Sequence, residues 1–229
     1  MRVLATPAGR VNIVVDQASG QQRVGRFGWK CQQATLFTFS GDAYLNEMGI
    51  TTPLFPAENC PQGKCGLLNN PALKPAPNDS DNSSLVEFTD FMTFLAPVPQ
   101  GNFINQARFG GFVFREIGCI NCQAPVLRTG SNGSAALNEV TFFPFSDFLL
   151  HDMGSLNDGI AQSGAGQNEI RTAPLWGCRL LTTFLHDGRA NNLSDAILAH
   201  DGQGRDARNR FAGLNDDPKA ALLAFLNAL

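Results

Sequence analysis

Near its middle the chain reads Cys119-Ile120-Asn121-Cys122-Gln123. Two cysteines separated by two residues serve three chemistries. Followed by histidine, they attach a c-type haem: the thiols add across the vinyl groups and the imidazole binds iron. Placed at the start of a helix after a strand, they form a redox-active dithiol. Joined by a second cysteine pair, they hold zinc. Here the fifth position is Gln123, and a neutral amide is a poor iron ligand beside an imidazole. The plainest alternative is a structural pair or a disulfide.

The segment that enters the motif separates these readings. Asn105 to Ile117 has the pattern of a helix and delivers the chain into Cys119, which argues against the dithiol placement. For zinc, Cys60 and Cys65 in Cys60-Pro61-Gln62-Gly63-Lys64-Cys65 would have to supply the second pair. Their spacing also suits a small disulfide, which belongs to an oxidising compartment. Cys31 and Cys178 stand alone, and each reads as a small buried hydrophobe or half of a long-range bridge. Haem attachment has the best context.

Farther out, Val11 to Val15 and Val24 to Phe27 flank Asp16-Gln17-Ala18-Ser19-Gly20 and read as a hairpin. Ala34 to Met48 is helix-like, with Gly49 as its stop. Residues 49–82 are rich in Pro, Asn, Gly and Asp and read as a long loop. Ser83 and Ser84 are placed to cap a helix from Leu85 to Ala96, with Leu85, Phe88, Phe91, Met92 and Leu95 at helical spacing and Pro97 ending it. Residues 124–168 are loop-rich apart from an extended piece at Val140 to Phe143. Ser194 caps a helix through His200. Asp217-Pro218 opens a last helix, in which Leu222, Phe225, Leu226 and Leu229 share a face. The expectation is a mainly α chain: a cytochrome c-like helical domain with long loops and one small β-hairpin.

Composition bounds the function. With 229 residues and 43% hydrophobic content the chain can bury a real core. A net charge of −3 gives no electrostatic case for nucleic acid or an acidic membrane surface. No apolar run approaches the roughly 18 residues that span a bilayer. Met1-Arg2-Val3-Leu4-Ala5-Thr6-Pro7 shows no signal-peptide core. Since haem attachment belongs to the periplasm or an equivalent compartment, the expectation is a piece of a longer exported precursor, or a chain that no longer carries haem.

Three histidines are present, and two repeat a pattern, His151-Asp152 and His186-Asp187. With Gln123 unsuited to iron, the candidate axial ligands are His186, Met153 and His151, with His200 as a fourth. Arg26 and Trp29, in Arg26-Phe27-Gly28-Trp29-Lys30, are candidates to meet a haem edge. So are Arg171 and Trp176, in Arg171-Thr172-Ala173-Pro174-Leu175-Trp176-Gly177. A guanidinium fork matches propionate, and indole packs on a macrocycle. Loop anchoring by amphipathic side chains is the bland reading of all four. Glu47 reads as a helix-surface acid.

These segments, taken in order, resemble a known family. Arg26 to Lys30, Tyr44 to Thr51, Pro53-Leu54-Phe55-Pro56, Ile117-Gly118-Cys119 with Cys122, Ser146 to Gly154, Arg171 to Gly177, Phe184-Leu185-His186-Asp187-Gly188-Arg189-Ala190, and Ala220 to Leu226 look like consecutive blocks of the di-haem oxidoreductase family, which is related to bacterial di-haem cytochrome c peroxidases. The resemblance covers nearly the whole chain. It implies two cytochrome c-like domains in a full member, each with its own Cys-x-x-Cys-His, and this chain resembles the C-terminal portion. Residues 1–82 would continue from an absent N-terminal haem domain, and 83–229 would form the cytochrome c-like domain. By analogy with the related peroxidases, this half carries electrons and needs its partner haem domain, or a redox partner protein, to act as an oxidoreductase. One covalent haem c at Cys119 and Cys122 is the implied cofactor, with Gln123 departing from the motif. The rivals are a haem-free remnant acting as scaffold or interaction module, and a zinc domain built on Cys60, Cys65, Cys119 and Cys122.

Overall fold

A computed structural model describes residues 8–60, 63–64 and 79–229. Within them, six α-helices and six short strands alternate with long irregular stretches. The helices are α1 (Leu36–Met48), α2 (Ser83–Phe94), α3 (Asn105–Glu116), α4 (Leu193–Leu198), α5 (Arg205–Ala212) and α6 (Asp216–Leu226). The strands form three antiparallel pairs: β1 (Ile13–Val15) with β2 (Gln22–Val24), β3 (Leu127–Arg128) with β4 (Thr141–Phe142), and β5 (Leu150–Asp152) with β6 (Glu169–Arg171). The class is mainly helical with small hairpins.

Two compact units are present. One is Ile13–Leu95, and the other is Ala96–Leu229 together with the described residues before Ile13. The expected boundary at residues 82 and 83 therefore differs from the observed division. The helix expected to open the second domain pairs with α1 instead: Leu85 is fully buried, and Tyr44 and Phe88 have ring centroids 5.8 Å apart.

In the Ile13–Leu95 unit, buried Asp16 anchors the start of α1. Its carboxylate accepts from Thr38 Oγ1 (2.6 Å), Ser19 Oγ (2.7 Å) and Thr35 Oγ1 (3.3 Å). Burial alone would raise its pKa, but these bonds and Arg23 hold it below the usual carboxylate range. Thr35 is the N-cap, accepting from Thr38 N, and Gly49 ends the helix in the left-handed region. Helix α2 corrects one expectation. Ser83 and Ser84 lie inside it, and Asn82 is the N-cap with no side-chain cap bond. Asp81 and Asp79 take the free amides of Ser83 and Leu85. Of the expected loop 49–82, residues 61–62 and 65–78 lie outside the described residues.

The Ala96–Leu229 unit is organised by α3 lying on α6. Ala107, Gly110, Val113 and Phe114 of α3 are buried, as are Ala221, Leu222, Phe225 and Leu226 of α6. The helices meet so closely at Gly110 that a β-carbon there would lie 1.9 Å from the Ala221 carbonyl oxygen. That approach stacks a cluster of rings. Phe225 sits 5.3 Å from Phe114, 5.7 Å from Phe145 and 5.9 Å from Phe103, centroid to centroid. Such pairs add about 0.5–1.5 kcal/mol each beyond the area they bury. Cys119, Ile120, Phe184 and Leu193 pack around the same core.

Other local differences have local causes. The first hairpin is shorter than expected because Phe27 turns away to bridge Gln33. Asn192, rather than Ser194, caps α4 by accepting from Asp195 N. Helix α5 and the β5–β6 hairpin were not foreseen, since neither carries a clean apolar period. Half of the residues of helix α5 are charged, and it buries Phe211 alone. The single hairpin expected becomes three.

Gly110→Ala is therefore expected to destabilise this unit by at least about 1–3 kcal/mol, the cost of overpacking a close contact. Gly111→Ala, whose added carbon meets only the Phe225 ring at 3.3 Å, should cost much less. Thermal denaturation of the two variants side by side checks this.

Candidate functional site: the Cys119–Cys122 pair and its histidine

Helix α3 ends at Glu116 with Ile117 as its C-cap, and the chain must turn at once. Gly118 supplies the turn with φ of 92°, a conformation that a β-carbon disfavours. Arg210 on α5 braces the corner by donating to the Ile117 carbonyl at 3.2 Å. Cys119–Asn121 then form one 3₁₀ turn, closed by Cys122 N bonding to Cys119 O at 3.3 Å. Both thiols are free. Cys119 packs against the aromatic core, and burial, with Cys122 beside it, pushes its pKa up to about 12. Cys119 is thus held as a neutral thiol.

Cys122 has a different surrounding. Its Sγ lies 3.5 Å from His151 Nδ1. On the other side of the ring, Nε2–H donates to Asp147 Oδ2 at 2.8 Å. His151 is 2% exposed, and the backbone of Gly9 covers it so closely that a β-carbon there would lie 2.6 Å from Nε2. The ring is fixed by strand pairing as well: β5 pairs with β6 and, through Leu150, with Arg10. Asp147 is fixed by its own backbone amide, which donates to the Cys122 carbonyl at 2.9 Å, and by accepting from Leu149 N. A carboxylate, an imidazole and a thiol therefore stand in one line. Burial opposes charge on His151, but the hydrogen bonds to Asp147 and Cys122 outweigh it and raise its pKa to about 10. The Asp147 carboxyl, raised by burial but bonded to His151 and to Leu149 N, ends below its ordinary value.

Gln123 is equally committed. Its side-chain amide faces the Ala173 and Phe145 carbonyls, and with the amide turned so that nitrogen meets them it donates to both. Together with Ser146 N donating to Ala124 O, this ties the thiol turn to the strands around it. The loop after the motif also places Arg171 and Trp176 around one ring. Trp176 lies 6.4 Å from Phe148 and 6.3 Å from Phe142, and the Arg171 guanidinium stands 5.8 Å from the Phe148 centroid.

The expected site residues thus separate. Cys119, Cys122 and His151 meet directly, and Arg171 and Trp176 share Phe148. Arg26 and Trp29 belong to the other unit, where both are exposed. Met153 lies beside His200 next to Gly204. His200 donates to Ala196 O at 2.7 Å, and burial lowers its pKa despite that bond. His186 is half-buried in the turn where Asp187 pairs with Arg189. The residue that sequence reading missed is Asp147. The carboxylate next to His151 in sequence, Asp152, does not reach the ring and accepts from Gly154 N. The available signal was the spacing of Asp147 and His151 inside one motif block.

For the zinc alternative, Cys60 is disulfide-bonded, which removes a thiolate from the proposed set, and Cys65 lies outside the described residues. Among the described residues no group of three or more His, Cys, Asp or Glu side chains is placed to hold a metal ion. Among them, too, no helix is long and apolar enough to cross a membrane. A solvent-open cavity of about 540 Å³ lies elsewhere, between Arg10, Asp152, Glu169 and Arg205.

Comparison with known proteins gives the class of the chain. The chain belongs to the family described as di-haem oxidoreductase, putative peroxidase, whose model matches residues 9–229. Family membership gives it a haem-related redox role. No curated protein matches the sequence. Among solved structures it is similar to hydrazine synthase of Kuenenia stuttgartiensis, at 19% identity over 63% of this chain, with a TM-score of 0.45. The chain spans about half of that protein, 55% of its length.

The residues fit a haem in one half and not in the other. Two free thiols, one seated in an apolar core, suit attachment through vinyl groups. Gln123 does not suit iron, because its amide is spent on two backbone carbonyls, and both ring nitrogens of His151 are engaged.

The His151 shift sets a pH dependence. A raised histidine pKa stabilises the fold fully below its unfolded value near 6.5 and loses that contribution as pH rises toward about 10. The raised Cys119 pKa adds a loss in the same direction, beginning only near 9, where the unfolded thiol ionises. The melting temperature should therefore fall between pH 6.5 and 9 in the wild type, and fall less in His151→Asn. Equal slopes would contradict the assignment.

Proposed function

We propose that Ala96–Leu229 is a cytochrome c-like domain that holds one haem through thioethers at Cys119 and Cys122, serving electron transfer in a di-haem oxidoreductase. The observation that carries this is the pair of free thiols in a single turn, one of them against an apolar core. Bound haem would supply one-electron chemistry at iron, tuned by its axial ligand and burial. The chain's own residues supply the setting. Cys119 and Cys122 provide the covalent hold. Gln123 braces the loop against Phe145 and Ala173 and leaves the iron-ligand role to another residue. Arg171, held over Phe148, supplies a positive group suited to propionate. His151 and Asp147 hold Cys122 in place.

This reading assigns the chain to the periplasm or an equivalent compartment, where such attachment occurs. It also calls for a second haem domain, or a redox partner protein, to complete the enzyme. The intact mass and absorption spectrum of the denatured chain, after expression with a haem-maturation system, provide the test. A mass raised by one haem, with a Soret band that survives denaturation and is lost in Cys119→Ser with Cys122→Ser, is expected. Gln123→His should then sharpen the low-spin spectrum by giving iron an imidazole. An unmodified mass without a Soret band would remove the proposal.

A further inference from the structure

The cavity of about 540 Å³ beside the β5–β6 hairpin takes no part in the haem reading. Its volume lies within the roughly 300–1,000 Å³ of small-molecule sites. Two turns, at Gly154 and Gly202, form one wall. Both glycines are in the left-handed region, with φ of 55° and 53°. A β-carbon on Gly154 would lie 2.8 Å from Gly202 N, and one on Gly202 would lie 2.7 Å from Gly154 N. Glycine at both positions is what lets the turns touch. Gln203 adds a clamp, accepting from Asp152 N at 2.9 Å and donating to Ala8 O at 3.2 Å. This local packing brings Asp152 and Arg205 to one cavity.

The charged groups around the cavity divide into two kinds. Arg10 and Glu169 satisfy each other through bonds of 2.7 and 2.6 Å, and Glu169 also accepts from Gly166 N. That pair is closed on itself. Arg205 is pinned but not used up. Its Nε donates to Asp201 Oδ1 at 2.6 Å, and Asp201 Oδ2 is itself held by Ser155 N and Oγ. The terminal amino groups of the Arg205 guanidinium bond to no described residue. Asp152 is the matching case: Oδ1 accepts from Gly154 N at 2.8 Å, and Oδ2 bonds to no described residue. The two side chains line the same cavity and form no ion pair with each other. A carboxylate and a guanidinium, each oriented by one bond and each with bonding capacity left, therefore face one space.

We propose that this cavity binds a small zwitterion, a molecule carrying an ammonium and a carboxylate, with Asp152 holding the ammonium and Arg205 the carboxylate. A lone anion meets repulsion from Asp152, and a lone cation meets it from Arg205. A ligand of both signs pairs with each and is repelled by neither. The planar guanidinium suits a carboxylate, and charge-assisted bonds of this kind are the strong ones. Asp201 and Gly154 N already orient the two side chains, so binding loses less side-chain freedom than at an unbraced surface pair. Asp152 and His151 are neighbours on β5 and point to opposite faces. The ligand thus sits behind the strand whose front holds His151 against Cys122. Its contacts join β5 to α5, the helix whose Arg210 braces the Ile117 corner. Binding stabilises this unit without touching Cys119, Cys122 or a bound haem, and the inference does not rest on haem attachment.

The test uses the full chain as isolated, its haem content fixed by intact mass. Glycine, 4-aminobutyrate and 6-aminohexanoate space the two charges differently. They are compared with butyrate and butylamine at equal ionic strength, by thermal denaturation and titration calorimetry. At several times its dissociation constant, at least one zwitterion should raise the melting temperature by about 2–4 °C, and butyrate and butylamine should each give much less. Asp152→Asn keeps an oxygen for Gly154 N and removes the charge. It should weaken the zwitterion by about tenfold or more and bind butyrate no worse than the wild type does. Arg205→Gln should weaken the zwitterion to a similar degree. No shift with any zwitterion at tens of millimolar, a shift matched by butyrate or butylamine, or an unchanged dissociation constant in Asp152→Asn would overturn the proposal. Should Arg205→Gln unfold because Asp201 loses its partner, Asp152→Asn, at an exposed position, decides alone.

Discussion

The close approach of α3 and α6 at Gly110 is the constraint on which the rest of the Ala96–Leu229 unit depends. With a hydrogen in place of a side chain, the α3 backbone reaches the Ala221 carbonyl. Only at that separation can Phe114 and Phe225 interlock with Phe145, and only a formed aromatic core can receive Cys119 at the end of α3. The thiol pair is thus placed by helix packing several residues upstream. Gly118 converts that packing into a position by letting the chain turn within one residue, and Arg210 holds the corner.

The two cysteines of one motif end in opposite environments for a simple reason. Residues three apart in a 3₁₀ turn share a side, so the turn itself does not separate them; their neighbours do. Cys119 packs against the aromatic core and Cys122 meets His151 of β5. Burial makes Cys119 a weak acid, and a fixed imidazole stands against Cys122. Asymmetry of this kind suits two attachments made in sequence. Gln123 belongs to the same economy of polar groups. An amide too weak for iron is a good brace for two carbonyls in a loop without regular hydrogen bonding.

Haem attachment draws on both thiols and so depends on their oxidation state. Thioether formation consumes both, and a Cys119–Cys122 disulfide would block it. Family membership gives the redox character of the chain; the line from Asp147 to Cys122 gives the character of its cysteines.

Much of the helical layout was legible in the sequence, because it rests on local rules. The spacing of Leu222, Phe225 and Leu226 marked α6, Gly49 marked the end of α1, and the segment entering Cys119 read correctly as α3. The motif blocks carried the family on their own, since order and identity of residues need no coordinates. What the sequence did not carry were elements held by distant partners. Helix α5 has too few apolar residues to show a period, and β5 is a strand only because Arg10 and β6 flank it. The site divides the same way. Cys119, Cys122 and His151 were visible as residue types able to do redox chemistry, whereas Asp147 was not singled out. Alternation along a strand sends adjacent side chains to opposite faces, so Asp152 could not reach the ring beside it, and only the folded loop could bring Asp147 back to His151 and turn both toward Cys122.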